Sequence, residues 1–207
     1  MDRRIIKTRH MLQAALLALL RELPFEDIEI QTITERANTA RVTFYRHYGK
    51  KEELLADTLE NIYQELQSEL THISVDSLFD LELTPPIQIV FRFVDRDRLL
   101  YKNLLMGTMS AFIQQRVRHY LVQQVIITFS QTPRYADLPI ILIANNLASQ
   151  AIGNIMWWLS EDLPYSAEYM ARITHVMAFF GALSLMGRSA DIRPLPPEVW
   201  RLPSDHG

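Results

Sequence analysis

The sequence predicts an all-α fold, a small N-terminal group of helices followed by a larger helical domain. Three observations carry that prediction. Glycine is scarce, 6 in 207 residues, and the first stands at position 49, which disfavours turn-rich β folds and sheets built on glycine loops. Apolar residues recur at spacings of three and four, the period of helices buried along one face. Neither strand-like alternation nor an internal repeat is present.

The first helix is expected from about Arg3 to Arg21, ending before Pro24. Ile5, Leu12, Leu16, Leu19 and Leu23 form its apolar stripe. The opening MDRRIIKTRH and the apolar MLQAALLALL imitate an export leader, but Arg21-Glu22-Leu23-Pro24-Phe25 offers no small-x-small cleavage site. Phe25 to Ile30 reads as a short connection. Gln31–Ala37 and Ala40–Tyr45 read as two short helices around a break at Asn38-Thr39, where asparagine tolerates the left-handed conformation. Tyr48-Gly49-Lys50 breaks the chain again.

Lys51 opens a long amphipathic helix whose stripe is Leu55, Leu59, Ile62, Leu66, Leu70 and Ile73. Thr84-Pro85-Pro86 marks the next start, proline being allowed in a first helical turn. Helices follow at 85–95, 97–106, 109–131, 136–160 and 166–187, the last opened by Ser166 after Pro164. Residues 188–207 hold four prolines and read as an irregular tail. The uncharged run 138–159 is long enough to span a bilayer. It carries Asn145, Asn146, Ser149, Gln150 and Asn154, however, and Asn146, Gln150 and Asn154 make one face polar. A helix enclosed by protein is the expectation, in a soluble, cytoplasmic molecule. The domains are expected at 1–50, 51–187 and, for the tail, 188–207.

Composition is that of a globular chain, 48% hydrophobic and 22% charged, with no cysteine, which excludes disulfides and thiolate chemistry. The net charge of −3 is split: residues 1–52 carry ten basic and seven acidic side chains, the remainder eleven and seventeen. A basic front on an acidic body suits a partner that is a polyanion. Catalysis is not expected. The six histidines show no metal-ligand spacing, and neither G-x-S-x-G nor a P-loop occurs. Asp95 and Asp97 sit among Arg92, Arg96 and Arg98, a solvated helix junction. No catalytic residue, metal or cofactor is therefore assigned.

Two short helices joined by a tight turn, with a third packed behind, form the helix-turn-helix arrangement. The second helix enters the major groove, so its exposed residues must offer hydrogen bonds with little bulk. Arg41 and Thr43 meet that need. Tyr45, His47, Lys50 and Lys51 supply hydroxyl, imidazole and ammonium groups for phosphates, with Lys51 at a helix N-terminus. Ile33, Ala37, Val42 and Phe44 are the expected packing residues. The alternative is a helical hairpin whose polar groups merely face solvent.

The order of these residues resembles the tetracycline-repressor (TetR) family of bacterial transcription regulators. The resemblance rests on Ala14-Ala15, Phe25-Glu26-Asp27-Ile28, Ile33 to Ala37, and the run from Thr43 to Leu55, and it covers about residues 5–55. Where the family has Gly-Val-Ser before the second helix, this chain has Asn38-Thr39-Ala40, so Thr39 is the expected cap. Glu29 replaces the threonine usual at the start of the first short helix. The resemblance implies that Arg41 and Thr43 approach bases while Tyr45, His47 and Lys51 hold phosphates. A shorter resemblance, Trp157 to Glu161 with Leu163 to Ser166, is to a subgroup that includes dihydroxyacetone-utilisation and multidrug regulators.

The resemblance further implies an effector-binding and dimerising region after residue 52. Met170, Ile173, Met177, Phe180 and Leu183 share a stripe on the last helix, and with 138–159 they are candidates for a four-helix interface; the alternative is plain core. Candidate effector contacts are Phe91, Phe93, Tyr101, Met106, Phe112, Tyr120, Asn146, Gln150 and Trp157. The amides of 146, 150 and 154 suit either a cavity or an interface. The expected protein is a homodimeric regulator of a palindromic DNA operator, a repressor released by a small molecule. The competing expectation is a DNA-anchored interaction protein without an effector, which a filled core beside an exposed apolar patch would favour.

Overall fold

The computed structural model describes residues 3–70, 85–130, 139–162 and 164–185, apart from the side chains of 179, 180 and 182–185. Among the described residues all regular structure is helical. The elements are α1 (Arg3–Leu20), a 3-10 turn (Phe25–Asp27), α2 (Ile30–Arg36), α3 (Arg41–Tyr45), α4 (Lys51–Leu70), α5 (Ile87–Asp95), α6 (Arg98–Met106), α7 (Ser110–Ser130), α8 (Ile140–Ser160) and α9 (Ala167–Leu185). These match the expected helices closely. Ile73 and the Pro-rich tail lie outside the described residues. No described helix is long and apolar enough to cross a membrane.

Packing divides the chain into two compact units, Met1–Ser68 with Asp97–Ile113, and Glu69–Arg96 with Gln114–Gly207. The expected boundary at residue 50 is therefore not a packing boundary. Most of α4 and all of α6 belong with the N-terminal helices, because their leucines complete that core.

In the first unit, Leu12, Leu16, Leu19 and Leu20 of α1 are buried with Phe25, Ile28, Ile33, Phe44, Leu54, Leu55 and Leu104. Each such side chain contributes about 1.5–3 kcal/mol through burial. Ile5 and Leu23, which the spacing placed on the same stripe, are 41% and 39% exposed. Helical period alone does not tell where along α1 the packing partners begin and end. Asn103 of α6 donates its amide to the carbonyl of Leu20 at 2.8 Å, satisfying the end of α1.

A polar cluster ties α1 to α4. The Tyr48 hydroxyl donates to Asp57 Oδ2 at 2.5 Å, and Gln13 donates to the same oxygen at 2.7 Å. Arg9 pairs with Asp57 Oδ1 at 3.1 Å and donates through Nε to the Tyr48 oxygen at 3.2 Å. Asn61 donates to Gln13 at 2.9 Å. Burial, followed by the bond to Asp57, pushes the Tyr48 phenol up to about 12.

In the second unit α9 packs on α5 and α8. Phe91 and Trp158, both fully buried, meet with ring centroids 5.6 Å apart, a tilted arrangement favourable to aromatic pairs. The Trp158 indole donates to the Tyr165 carbonyl at 3.0 Å, so its one polar group is satisfied. Ser166 accepts a bond from the Tyr169 amide at 3.1 Å and thus caps α9, as its position after Pro164 predicts. Arg92 pairs with Glu168 at 3.0 Å, joining α5 to α9.

Candidate nucleic-acid interface and cavity

α2 ends in the left-handed turn that the sequence predicts. Asn38 has φ 48°; its amide donates to Glu35 O at 3.0 Å, and that of Thr39 to Thr34 O at 2.9 Å. This pair of bonds is the Schellman arrangement, with asparagine where glycine is usual. It closes α2 within two residues and releases the chain into α3. The expected Thr39 cap is not made. Ala40 is the N-cap of α3, without a side-chain bond, and its carbonyl accepts the Thr43 amide at 2.8 Å.

On α3, Phe44 is fully buried and Thr43 is half-buried. Arg41, Val42, Tyr45 and Arg46 are exposed and share one face at helical spacing. The Arg41 guanidinium lies 5.8 Å from the Tyr45 ring centroid, with a long 3.4 Å contact to its hydroxyl. Phe44 supports the Tyr45 ring edge-on at 5.5 Å. His47 is half-buried beside Tyr48, at 6.4 Å between rings, and Lys50 is exposed.

Two expectations are corrected here. Val42 does not pack; it is 60% exposed, because Phe44 already fills the inward position of this short helix. Lys51 is not a free cation awaiting phosphate. Its ammonium donates to the carbonyls of Phe25 (2.9 Å), Glu26 (3.1 Å) and Ile28 (2.8 Å) and lies 4.7 Å from the Phe25 ring centroid. Three donors meet three acceptors, so Lys51 anchors the 3-10 turn against the start of α4. Exposed Arg46 was absent from the sequence candidates, although its spacing from Arg41 and Val42 is the signal that finds it.

The second unit contains a cavity of about 140 Å³. Its walls are mainly apolar, among them Ile87, Val90, Leu121, Val125, Leu147 and Ala151, and its polar side chains are Gln124, Thr128, Gln150, Thr174 and His175. Thr174 accepts the Asn154 amide at 2.8 Å. Burial holds His175 below its ordinary value, so the imidazole is neutral near pH 7.

Of the predicted effector contacts, Gln150 alone is among the described lining residues. Phe91 is core under Trp158, and Phe93 is buried. Tyr101, Met106 and Phe112 belong to the first unit. Tyr120 does not line the cavity; burial pushes its phenol up to about 12. Asn146 is exposed, and Trp157 is 53% exposed. The residues missed include the α7 stripe Leu121, Gln124, Val125 and Thr128, whose spacing was visible, and Thr174 and His175 of α9. Of the dimer candidates, Met170 is buried within its own unit, while Met177 is 61% exposed. Ile173 is half-buried, and the side chains of Phe180 and Leu183 lie outside the described residues.

Residues 12–58 match the profile of bacterial regulatory proteins of the tetR family. Residues 82–179 match a TetR transcriptional regulator C-terminal region. The chain belongs to the TetR family. It is a TetR-family transcriptional regulator, with its helix-turn-helix formed by α2 and α3. Over 82 residues it is 40% identical to YxbF, an uncharacterised HTH-type transcriptional regulator of Bacillus subtilis; that stretch is 39% of this chain and spans only 22% of YxbF.

Solved structures share the TetR fold at lower identity. The dihydroxyacetone kinase operon activator DhaS matches 90% of this chain and 98% of its own, with a TM-score of 0.60 at 16% identity. RolR in complex with resorcinol matches 95% of this chain and 98% of its own, with a TM-score of 0.60 at 19% identity. A putative TetR-family regulator from Syntrophomonas wolfei covers 85% of this chain and 95% of its own, with a TM-score of 0.65 at 14% identity. These likenesses show the fold of this TetR-family regulator.

Proposed function

We propose that this TetR-family regulator is a non-enzymatic, cytoplasmic, homodimeric repressor of a palindromic operator, released by a small-molecule effector. The observation that carries the effector reading is the cavity of about 140 Å³ in the second unit. A void of this order accommodates about one aromatic ring, and apolar walls with a few polar groups suit such a ligand. The neighbouring fold of RolR, solved with resorcinol, supports an effector of similar size. The competing reading, a DNA-anchored interaction protein, needs a filled core and is disfavoured by the cavity.

For DNA, Arg41 and Thr43 approach base edges while Tyr45, His47 and Lys50 hold phosphates, a division in which phosphate contacts position and base contacts specify. Dimerisation is supported by the exposed stripe of α8. Leu142, Asn146, Ser149, Gly153 and Trp157 are all exposed at spacings of four, three, four and four. A Cβ built on Gly153 meets nothing within 4 Å, leaving room for a second helix. A two-fold dimer presents α3 twice, so its half-sites are inverted. The test is selection of bound duplexes from random DNA, repeated with single-ring effectors. Inverted repeats released by an effector are expected. Sites without dyad symmetry would remove the dimer, and sites insensitive to every candidate effector would favour the interaction protein.

A further inference from the structure

We propose that Val42 reads the 5-methyl group of a thymine in the major groove and so determines one position of each operator half-site. This rests on the DNA-reading role proposed for α3. The face formed by Arg41, Val42, Tyr45 and Arg46 is exposed, and Val42 is its one aliphatic member, at 60% more exposed than Tyr45 at 48%. Arg41 is drawn along the helix toward Tyr45, with 5.8 Å from guanidinium carbon to ring centroid. The isopropyl group therefore stands uncovered beside a cation–aromatic pair. Val42 is not among the buried core residues, the inward position of α3 being filled by Phe44, and a β-branched residue weakens a five-residue helix by restricting its own rotamers.

The chemistry that fits an uncovered isopropyl group in the major groove is the thymine methyl, the apolar feature among the hydrogen-bonding edges of the bases. Contact removes both groups from water, and burial of one methyl supports about a 4-fold gain in affinity. Cytosine lacks this group. Uracil lacks it too, yet keeps thymine's hydrogen-bonding edge, which separates methyl reading from every polar contact.

The experiment uses the full chain and a site selected from random duplexes, with each thymine replaced in turn by uracil. One thymine per half-site should show a loss of about 4-fold, and replacement in both half-sites a loss of about 15-fold. In Val42→Ala those losses should shrink toward 1-fold, while in Val42→Thr, which keeps one methyl, part of them should persist. Circular dichroism and the urea midpoint of both variants check that the fold is retained, the expected result for a side chain that is 60% exposed. Uracil losses that are absent throughout, or that persist unchanged in Val42→Ala, would overturn the proposal while leaving the DNA-reading role intact. Failure to select any bound sequence would instead overturn that role, and this proposal with it.

Discussion

Lys51 Nζ donates a 2.8 Å hydrogen bond to the carbonyl oxygen of Ile28. With the parallel bonds to Phe25 and Glu26, it makes a lysine in a DNA-binding motif part of the frame that holds the motif. Lys51→Met keeps the stem and deletes the ammonium, leaving three carbonyls to find other partners. Stability should fall by about 1–3 kcal/mol, read by urea denaturation, with the salt dependence of DNA affinity little changed. Lys50→Ala should do the reverse, lowering the salt slope by about 0.9 at unchanged stability. A normal urea midpoint for Lys51→Met would restore Lys51 to the phosphate contacts.

The left-handed turn at Asn38 makes a second prediction. Asn38→Ala should destabilise the first unit by about 1 kcal/mol, because a Cβ without a compensating polar group is strained at this φ. Asn38→Gly should be neutral or slightly stabilising. Equal melting temperatures for the alanine and glycine variants would show that the turn relaxes to another geometry.

His175 predicts the acid limb of stability. Its folded-state value is lowered by burial, whereas the unfolded chain protonates near its ordinary value of about 6.5. Below that pH the unfolded state binds more protons than the folded one, so stability is full above about pH 6.5 and declines as pH falls through the window beneath it. His175→Gln should flatten this decline. Melting temperatures at pH 7.5 and 5.5 check it, and an equal drop in variant and parent would assign the acid limb to other groups.

Assembly is checked at Trp157, which is 53% exposed on the α8 stripe. Trp157→Arg places a charge where the proposed dimer is closely packed and desolvated, so light scattering should report monomers with near-native helicity by circular dichroism. Operator affinity should fall with the dimer. A dimer of unchanged mass would move the interface elsewhere, and the side chain is too exposed for loss of fold to be the expected outcome.

The helices, their order and the turn at Asn38 were legible in the sequence, because period, proline and glycine placement and the left-handed tolerance of asparagine are local properties. The helix-turn-helix pattern likewise marked Arg41, and the motif from Thr43 to Leu55 marked Tyr45, both exposed on α3, without coordinates. What tertiary structure alone decided was the partner of each side chain. Val42 and Phe44 are both apolar and two residues apart, yet only the folded unit, in which α3 packs on α2 and Phe44 meets the Tyr48 ring, selects Phe44 for the inside. Lys51 carries the charge of a phosphate ligand, but the carbonyls that consume it lie more than twenty residues earlier and converge on it only in the folded unit. The cavity is set by α7 and α9 side chains such as Gln124 and His175, drawn from distant segments. Spacing along one helix places a residue on a face; which faces meet is settled by contacts across the chain.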